Sequence, residues 1–291
     1  MKKKIVILGC ENSHANAFLG FIRDREEFSD VEVVGVYSHE REAAEKLKEQ
    51  FGVAVMDNYD DAVGKVDGVI VTARHGDRHL MYAKPYMESG VPMFIDKPVT
   101  VKEEDTLELV DLLKKNNVQV TGGSCLKYDP YVLALKRDRE CNAMGKVLGG
   151  LVRAPYNKEN EYGGFFFYSQ HMIEMVCEIF GRFPKSVIAK ESADKHITVM
   201  FRYDDYDCVG VFTEGVHVYG ASLVAEKGTR TVDIAFCNDW FYREFKAYYD
   251  VLCGAKMKET YDTFVAPVFI LNAIDRSLKS GCEEKVNGLN A

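Results

Sequence analysis

Lys97 stands in Asp96-Lys97-Pro98-Val99-Thr100, directly after the apolar pair Phe94-Ile95. A lysine at the C-terminal end of a parallel strand faces the crevice of an open α/β sheet, where it can polarise an oxygen and hold its proton. An Asp-Lys-Pro turn capping a helix accounts for the same residues equally well. His171 and Glu174, three apart in the stretch Gly163 to Glu174, can hydrogen-bond on one helix face, so that the glutamate fixes the ring tautomer and raises its basicity. A buried structural pair satisfies that spacing too.

Two further stretches have the composition of a nucleotide site. Val6-Ile7-Leu8-Gly9-Cys10-Glu11-Asn12-Ser13-His14 passes from a strand into a helix, and a pyrophosphate sits at such a junction against free backbone N–H groups and the positive helix end. Of the three glycines in G-x-G-x-x-G only Gly9 is present, with Glu11 and His14 at the other places. A carboxylate at position 11 repels phosphate unless it turns away, and an ordinary strand-to-helix turn reads the same. After the run Glu32 to Tyr37 comes Ser38-His39 rather than an acid. That pair tolerates a ribose 2′-phosphate, which makes NADP at least as plausible as NAD, while Ser38 also serves as the N-cap of the next helix.

The elements that must position these groups follow from hydrophobic period. Up to residue 122, apolar strands (Lys4 to Leu8, Glu32 to Tyr37, Gly68 to Thr72, Pro92 to Ile95, Val118 to Thr121) alternate with helices (Ser13 to Arg23, Glu40 to Phe51, His79 to Ser89, Lys102 to Asn116). This alternation predicts an α/β fold with a doubly wound parallel sheet, a Rossmann-type dinucleotide-binding domain over residues 1–122. Residues 123–291 read differently. A helix from Pro130 to Arg139 and the apolar stretch Gly163 to Gly181 precede strands at Lys185 to Lys190, His196 to Tyr203, Cys208 to Thr213, His217 to Val224 and Thr231 to Phe236. Short spacings between them predict an antiparallel sheet, and helices at Trp240 to Leu252 and Val265 to Leu278 close an α+β domain.

Composition excludes several classes. With 47% hydrophobic residues the chain has ample material for two cores, so disorder is excluded. A net charge of -8 disfavours nucleic acid and anionic membranes as partners. The eight cysteines have no metal-ligand spacing, and no metal is expected; they read as reduced thiols of a cytoplasmic protein. The apolar run Ile5 to Leu8 is shorter than the about 7 to 15 residues of a signal peptide, and no run approaches the ~20 residues of a membrane helix.

Together these pieces resemble the Gfo/Idh/MocA family of NAD(P)-dependent oxidoreductases. Asp96-Lys97-Pro98 is similar to its Glu-Lys-Pro turn, Val69-Ile70-Val71-Thr72 with His79 to its strand, phosphate-side loop and histidine, and Leu126-Lys127-Tyr128-Asp129-Pro130 to the Arg-Phe-Asp-Pro-like start of its second domain. The stretch Gly163 to Glu174 resembles a glycine-rich segment leading into D-x-x-x-H-x-x-D, with Phe167 in place of the first aspartate and Glu174 in place of the last. The resemblance implies a large, open, mostly antiparallel second sheet that supports homo-oligomers. It also implies hydride transfer between a nicotinamide and a carbinol carbon of a polyhydroxylated small molecule, a sugar, cyclitol or similar polyol, with Lys97 polarising the oxygen and His171 shuttling the proton. Expected cofactor contacts are Gly9, Asn12, Ser13, His14, Ser38, His39, Thr72, Arg74, His79, Asp96 and Lys97; Lys127, Tyr168 and Glu174 are expected to meet substrate. Phe167 and the glycine-poor loop motivate a second reading, a non-catalytic cofactor- or sugar-binding protein. A third is glycoside cleavage with a tightly held, recycled nucleotide.

Overall fold

Strands without polar alternation are covered on both faces, and this is how the first part of the chain lies in the computed structural model, which describes residues 2–235, 237 and 239–288. In order it forms β1 (Lys3–Leu8), α1 (Ser13–Asp24), β2 (Val31–Tyr37), α2 (Arg41–Phe51), β3 (Gly68–Val71), α3 (Asp77–Met87), β4 (Met93–Asp96), α4 (Glu103–Lys115) and β5 (Val120–Gly123). The strands β3, β4 and β5 are buried throughout. The sheet order is β2-β1-β3-β4-β5 and every pair is parallel. Val36 and Val55 add an isolated parallel bridge beside β2. The order reverses at β1, which pairs β2 on one side and β3 on the other, so the crevice beyond the carboxyl ends of β1 and β3 is the switch point where such sheets bind ligands. The doubly wound α/β reading of this region therefore holds.

The chain continues with α5 (Pro130–Glu140), β6 (Val147–Tyr156), α6 (Phe165–Phe180), β7 (Ser186–Glu191), β8 (Ile197–Arg202), β9 (Asp207–Glu214), β10 (Tyr219–Ala225) and β11 (Gly228–Ile234), then α7 (Asp239–Leu252), α8 (Tyr261–Ser280) and β12 (Glu284–Lys285). The second sheet has the order β11-β10-β6-β9-β8-β7-β12. It is antiparallel except for the central pair β6 and β9, which runs parallel from Gly149↔Asp207 to Tyr156↔Glu214. Helix α6 packs on β6 and β9. On β6, buried Val152 and Ala154 alternate with exposed Leu151, the signature of a sheet with one covered face. The last expected strand begins three residues earlier than its sequence reading, at Gly228, and Phe236 lies outside the described residues. Helix α8 begins at Tyr261 instead of Val265, because Thr260 caps it: its Oγ1 accepts from the Thr263 amide at 3.2 Å.

Among the described residues the chain forms two compact units, one of residues 2–100, 104–123 and 239–264, the other of residues 101–103, 124–235, 237 and 265–288. The main crossing, after residue 123, lies one residue beyond the expected boundary, but residues 101–103 already belong to the second unit and residues 239–264 return to the first. The reason is the apolar face of α7, where Phe245, Tyr248, Val251 and Leu252 bury with Phe18, Phe28 and Phe94. Phe245 stands 5.1 Å from Phe18 and 4.8 Å from Phe28, ring centre to ring centre. Burial of each such ring is worth about 1.5–3 kcal/mol. A Cβ on Gly68 would overlap the Tyr248 hydroxyl, so glycine there admits α7 close to β3.

Candidate functional site

The mouth at the end of β1 is shaped by Gly9, whose φ of 89° is open to glycine and whose added Cβ would overlap the Ala73 backbone. Its amide donates to the Tyr37 carbonyl at 2.7 Å, and the Thr72 hydroxyl donates to its carbonyl at 2.6 Å, which ties the ends of β1, β2 and β3 together. Asn12 is the N-cap of α1, with its Oδ1 accepting from the His14 amide at 3.3 Å. The amides of Glu11, Asn12 and Ser13 meet no acceptor among the described residues. Such a set of donors at a helix N-terminus fits a pyrophosphate. Glu11 does turn away: its carboxylate accepts from the Ser38 hydroxyl at 2.6 Å and from the Arg74 amide at 3.0 Å. Ser38 also accepts from the Glu40 amide at 3.1 Å, but α2 starts at Arg41 with Glu40 as its N-cap, so Ser38 is not the expected cap of that helix; Ser13 and His39 are exposed. His79 lies behind this wall, fully buried, with Nε2 donating to the Ala73 carbonyl at 2.7 Å. Burial pushes its imidazole below the ordinary histidine value, against the pull of that carbonyl, so the ring is neutral.

Asp96 and Lys97, both buried, close the end of β4. Asp96 Oδ1 accepts from the Lys97 amide at 2.7 Å and Oδ2 from Asn12 Nδ2 at 2.6 Å, so the Lys97 turn and the α1 cap share one carboxylate. The His14 ring points inward, away from the open amides, with Nδ1 3.3 Å from Asp96 Oδ2 and Nε2 3.0 Å from Glu244 Oε2 of α7. Burial lowers its pKa, but Asp96 and Glu244 outweigh that and raise it above 6.5, against the opposing charge of Lys97. Stability from this pairing is therefore complete below about pH 6.5 and is lost as pH rises through the raised folded value. Unfolding midpoints measured from pH 6 upward are expected to fall more steeply for the unmodified chain than for His14→Gln; parallel curves would contradict the pairing. Glu244 is a residue the sequence reading did not single out.

In the second unit, His171 Nδ1 lies 2.7 Å from Ser124 Oγ, both groups buried. Ser124 Oγ also accepts from the Leu126 amide at 3.2 Å, which fixes the hydroxyl that orients the ring. Ser124 was likewise missed. Glu174 is fully buried, with Oε1 accepting from Gln170 Nε2 at 3.3 Å and Oε2 from Arg182 at 3.4 Å. Tyr168 stacks 5.8 Å from His171 and 6.1 Å from His217, and Tyr219 lies 6.3 Å from His171, so the histidine has an aromatic surround. Phe167 packs between Tyr162 and Tyr168 at 5.6 and 4.8 Å. Lys127 is buried with its ammonium 5.6 Å over the Tyr128 ring. Asp129 caps α5, accepting from the Tyr131 and Val132 amides at 2.8 and 3.1 Å, with Pro130 in the first turn. Among the described residues, no helix is long and apolar enough to cross a membrane.

Comparison with known proteins agrees with this geometry. Residues 3–124 match the Gfo/Idh/MocA oxidoreductase family, NAD-binding Rossmann fold. Glucose-6-phosphate 3-dehydrogenase of Bacillus subtilis is 25% identical over 230 residues, 70% of this chain and 62% of its own. Inositol 2-dehydrogenase of Corynebacterium glutamicum is 31% identical over 129 residues, 42% of this chain and 35% of its own. The chain spans between 35% and 62% of the length of the curated relatives it matches. In fold it is similar over 99% of its length to the whole chain of scyllo-inositol dehydrogenase from Lactobacillus casei with bound NAD(H) and scyllo-inositol, at a TM-score of 0.85 and 15% identity. With its parallel sheet, its switch-point mouth and the match over residues 3–124, the first unit carries the NAD-binding Rossmann fold of the Gfo/Idh/MocA oxidoreductase family.

Proposed function

We propose that the protein is an NAD-dependent dehydrogenase that oxidises a carbinol carbon of a cyclitol or sugar. The observation that carries this is the α1 mouth, with the Glu11, Asn12 and Ser13 amides open and the one obstructing carboxylate drawn off by Ser38 and Arg74. Inositol and glucose-6-phosphate dehydrogenases among the relatives support the substrate class. NAD, when bound, supplies the hydride acceptor. Lys97 polarises the reacting oxygen, and His171 carries its proton. Tyr168 and Lys127 contribute to substrate binding, whereas Glu174, held by Gln170 and Arg182, supports the helix that carries His171. NAD is preferred over NADP because the Glu11 carboxylate, drawn by Ser38 to the end of β2, accepts a ribose hydroxyl and repels a 2′-phosphate. Exposed Leu148, Leu151 and Ile188 on the second sheet support a homo-oligomer.

A panel of myo-inositol, scyllo-inositol and glucose 6-phosphate with NAD tests the reading through NADH absorbance. NADH formation with one of them is expected. Binding of NAD without turnover on this or a broader polyol panel would favour a cofactor-binding protein instead, and sugar release from an aryl glycoside without net NADH would favour transient oxidation. Ser124→Ala removes one neutral hydrogen bond to His171 and is expected to lower kcat roughly threefold to tenfold with the KM for NAD unchanged; an unaltered kcat would show that Ser124 does not orient the base.

A further inference from the structure

His14 and Glu244 have no part in the reaction just described, yet both are buried in the first unit beside the buried Asp96 and Lys97. Glu244 and Asp96 are both fully buried, and buried carboxylates persist only when paired. His14 lies between them, Nε2 at 3.0 Å from Glu244 Oε2 and Nδ1 at 3.3 Å from Asp96 Oδ2. Nδ1 is also 3.1 Å from Asn12 Oδ1. The orientation of that amide is fixed by its neighbours, since Nδ2 donates to Asp96 and Oδ1 accepts the His14 amide. Nδ1 donates to Asn12 Oδ1, while Nε2 lies within ion-pair distance of Glu244 Oε2 but is not hydrogen-bonded to it, so what favours the imidazolium is carboxylate charge at both ends of the ring. Phe241 and Phe18 cover the ring at 4.4 and 5.7 Å. A cation in the first turn of α1 also stands at the positive end of the helix, where the dipole opposes it. The two carboxylates offset that, while the nearby Lys97 ammonium opposes the cation.

We propose that His14 is a standing imidazolium held by Glu244 and Asp96, and that this triad braces the nucleotide mouth and the Lys97 turn as one piece. Asp96 is the common member: it clasps the Lys97 amide on one oxygen and Asn12, the cap of α1, on the other. His14 and Glu244 are accordingly positioning residues, with α7 as the strut that delivers Glu244.

Nitrogen-15 NMR of the full chain labelled at histidine reads the charge state directly at pH 7, with the His14 signals assigned by their loss in His14→Gln. Two protonated ring nitrogens are expected for His14 in the unmodified protein. Glu244→Gln, which keeps the shape and removes the charge, is expected to leave the ring with one proton and to weaken NAD binding about tenfold or more, the scale of one charge-assisted hydrogen bond. A singly protonated His14 ring in the unmodified protein overturns the proposal, as does a Glu244→Gln variant with ring and NAD affinity unchanged. Should that variant not fold, the spectrum of the unmodified protein decides alone. The affinity readout rests on the proposed NAD site, whereas the ring readout does not: failure of NAD to bind the unmodified chain refutes the dehydrogenase reading and leaves the nitrogen spectrum to judge the brace.

Discussion

Replacing Lys97 by methionine is expected to lower turnover by about 10²- to 10⁴-fold, the range for loss of a positioned acid–base group, while NAD still binds. Lys97 is 5% exposed, its amide held by Asp96 at 2.7 Å. Methionine is close to the lysine stem in length and fills its space, so the turn keeps its packing. What disappears is the ammonium, the donor that polarises the substrate oxygen. The stabilisation conferred by saturating NAD is expected to change by less than about 0.5 kcal/mol, because the open Glu11, Asn12 and Ser13 amides proposed to hold the pyrophosphate are untouched. Steady-state NADH formation on the responsive polyol, paired with thermal unfolding in NAD, separates the two effects. Equal turnover in the variant would remove Lys97 from the reaction.

Glu11→Gln is expected to reduce the preference for NAD over NADP by at least tenfold. The glutamine keeps a carbonyl oxygen for the Arg74 amide and sets its NH2 against Ser38, whose hydroxyl then accepts instead of donating, so both groups that hold position 11 stay engaged. The variant therefore retains the shape of the mouth and loses only its charge. A hydrogen bond to a charged acceptor is worth about 1.5–3 kcal/mol against about 0.5–1.5 for a neutral one, and the repulsion of a 2′-phosphate vanishes at the same time. Dissociation constants for NAD and NADP, measured on both proteins by calorimetry, give the ratio. An unchanged ratio would mean that Glu11 does not read the ribose.

Much of this was legible from local pattern. Buried parallel strands announce themselves as unbroken apolar runs, and the junction after Leu8 carries a glycine where the backbone needs positive φ. The direction of the Glu11 side chain was not legible, because it depends on Ser38 and Arg74, each brought in by a different strand end. Ser38-His39, read alone, left NADP at least as plausible as NAD; in the fold Ser38 is engaged by a carboxylate that the sequence placed in another turn. Glu244 was invisible for a stronger reason. Helical period identifies α7 and its apolar face, but not that the face belongs with Phe18 and Phe28 in the first unit. His171 and Glu174 share a helix face as their spacing requires, and the fold adds Gln170 and Arg182 to the carboxylate and Ser124 to the imidazole. Spacing defines which partners are possible, and the competition among them is tertiary.

The dehydrogenase reading depends on dinucleotide entering the mouth between Gly9 and His14. Thermal unfolding of the unmodified chain with NAD at ~100 times its dissociation constant should show about 2.7 kcal/mol of added stability, with a smaller gain from NADP at equal concentration. An unfolding midpoint that stays fixed as NAD is raised to millimolar levels would contradict it.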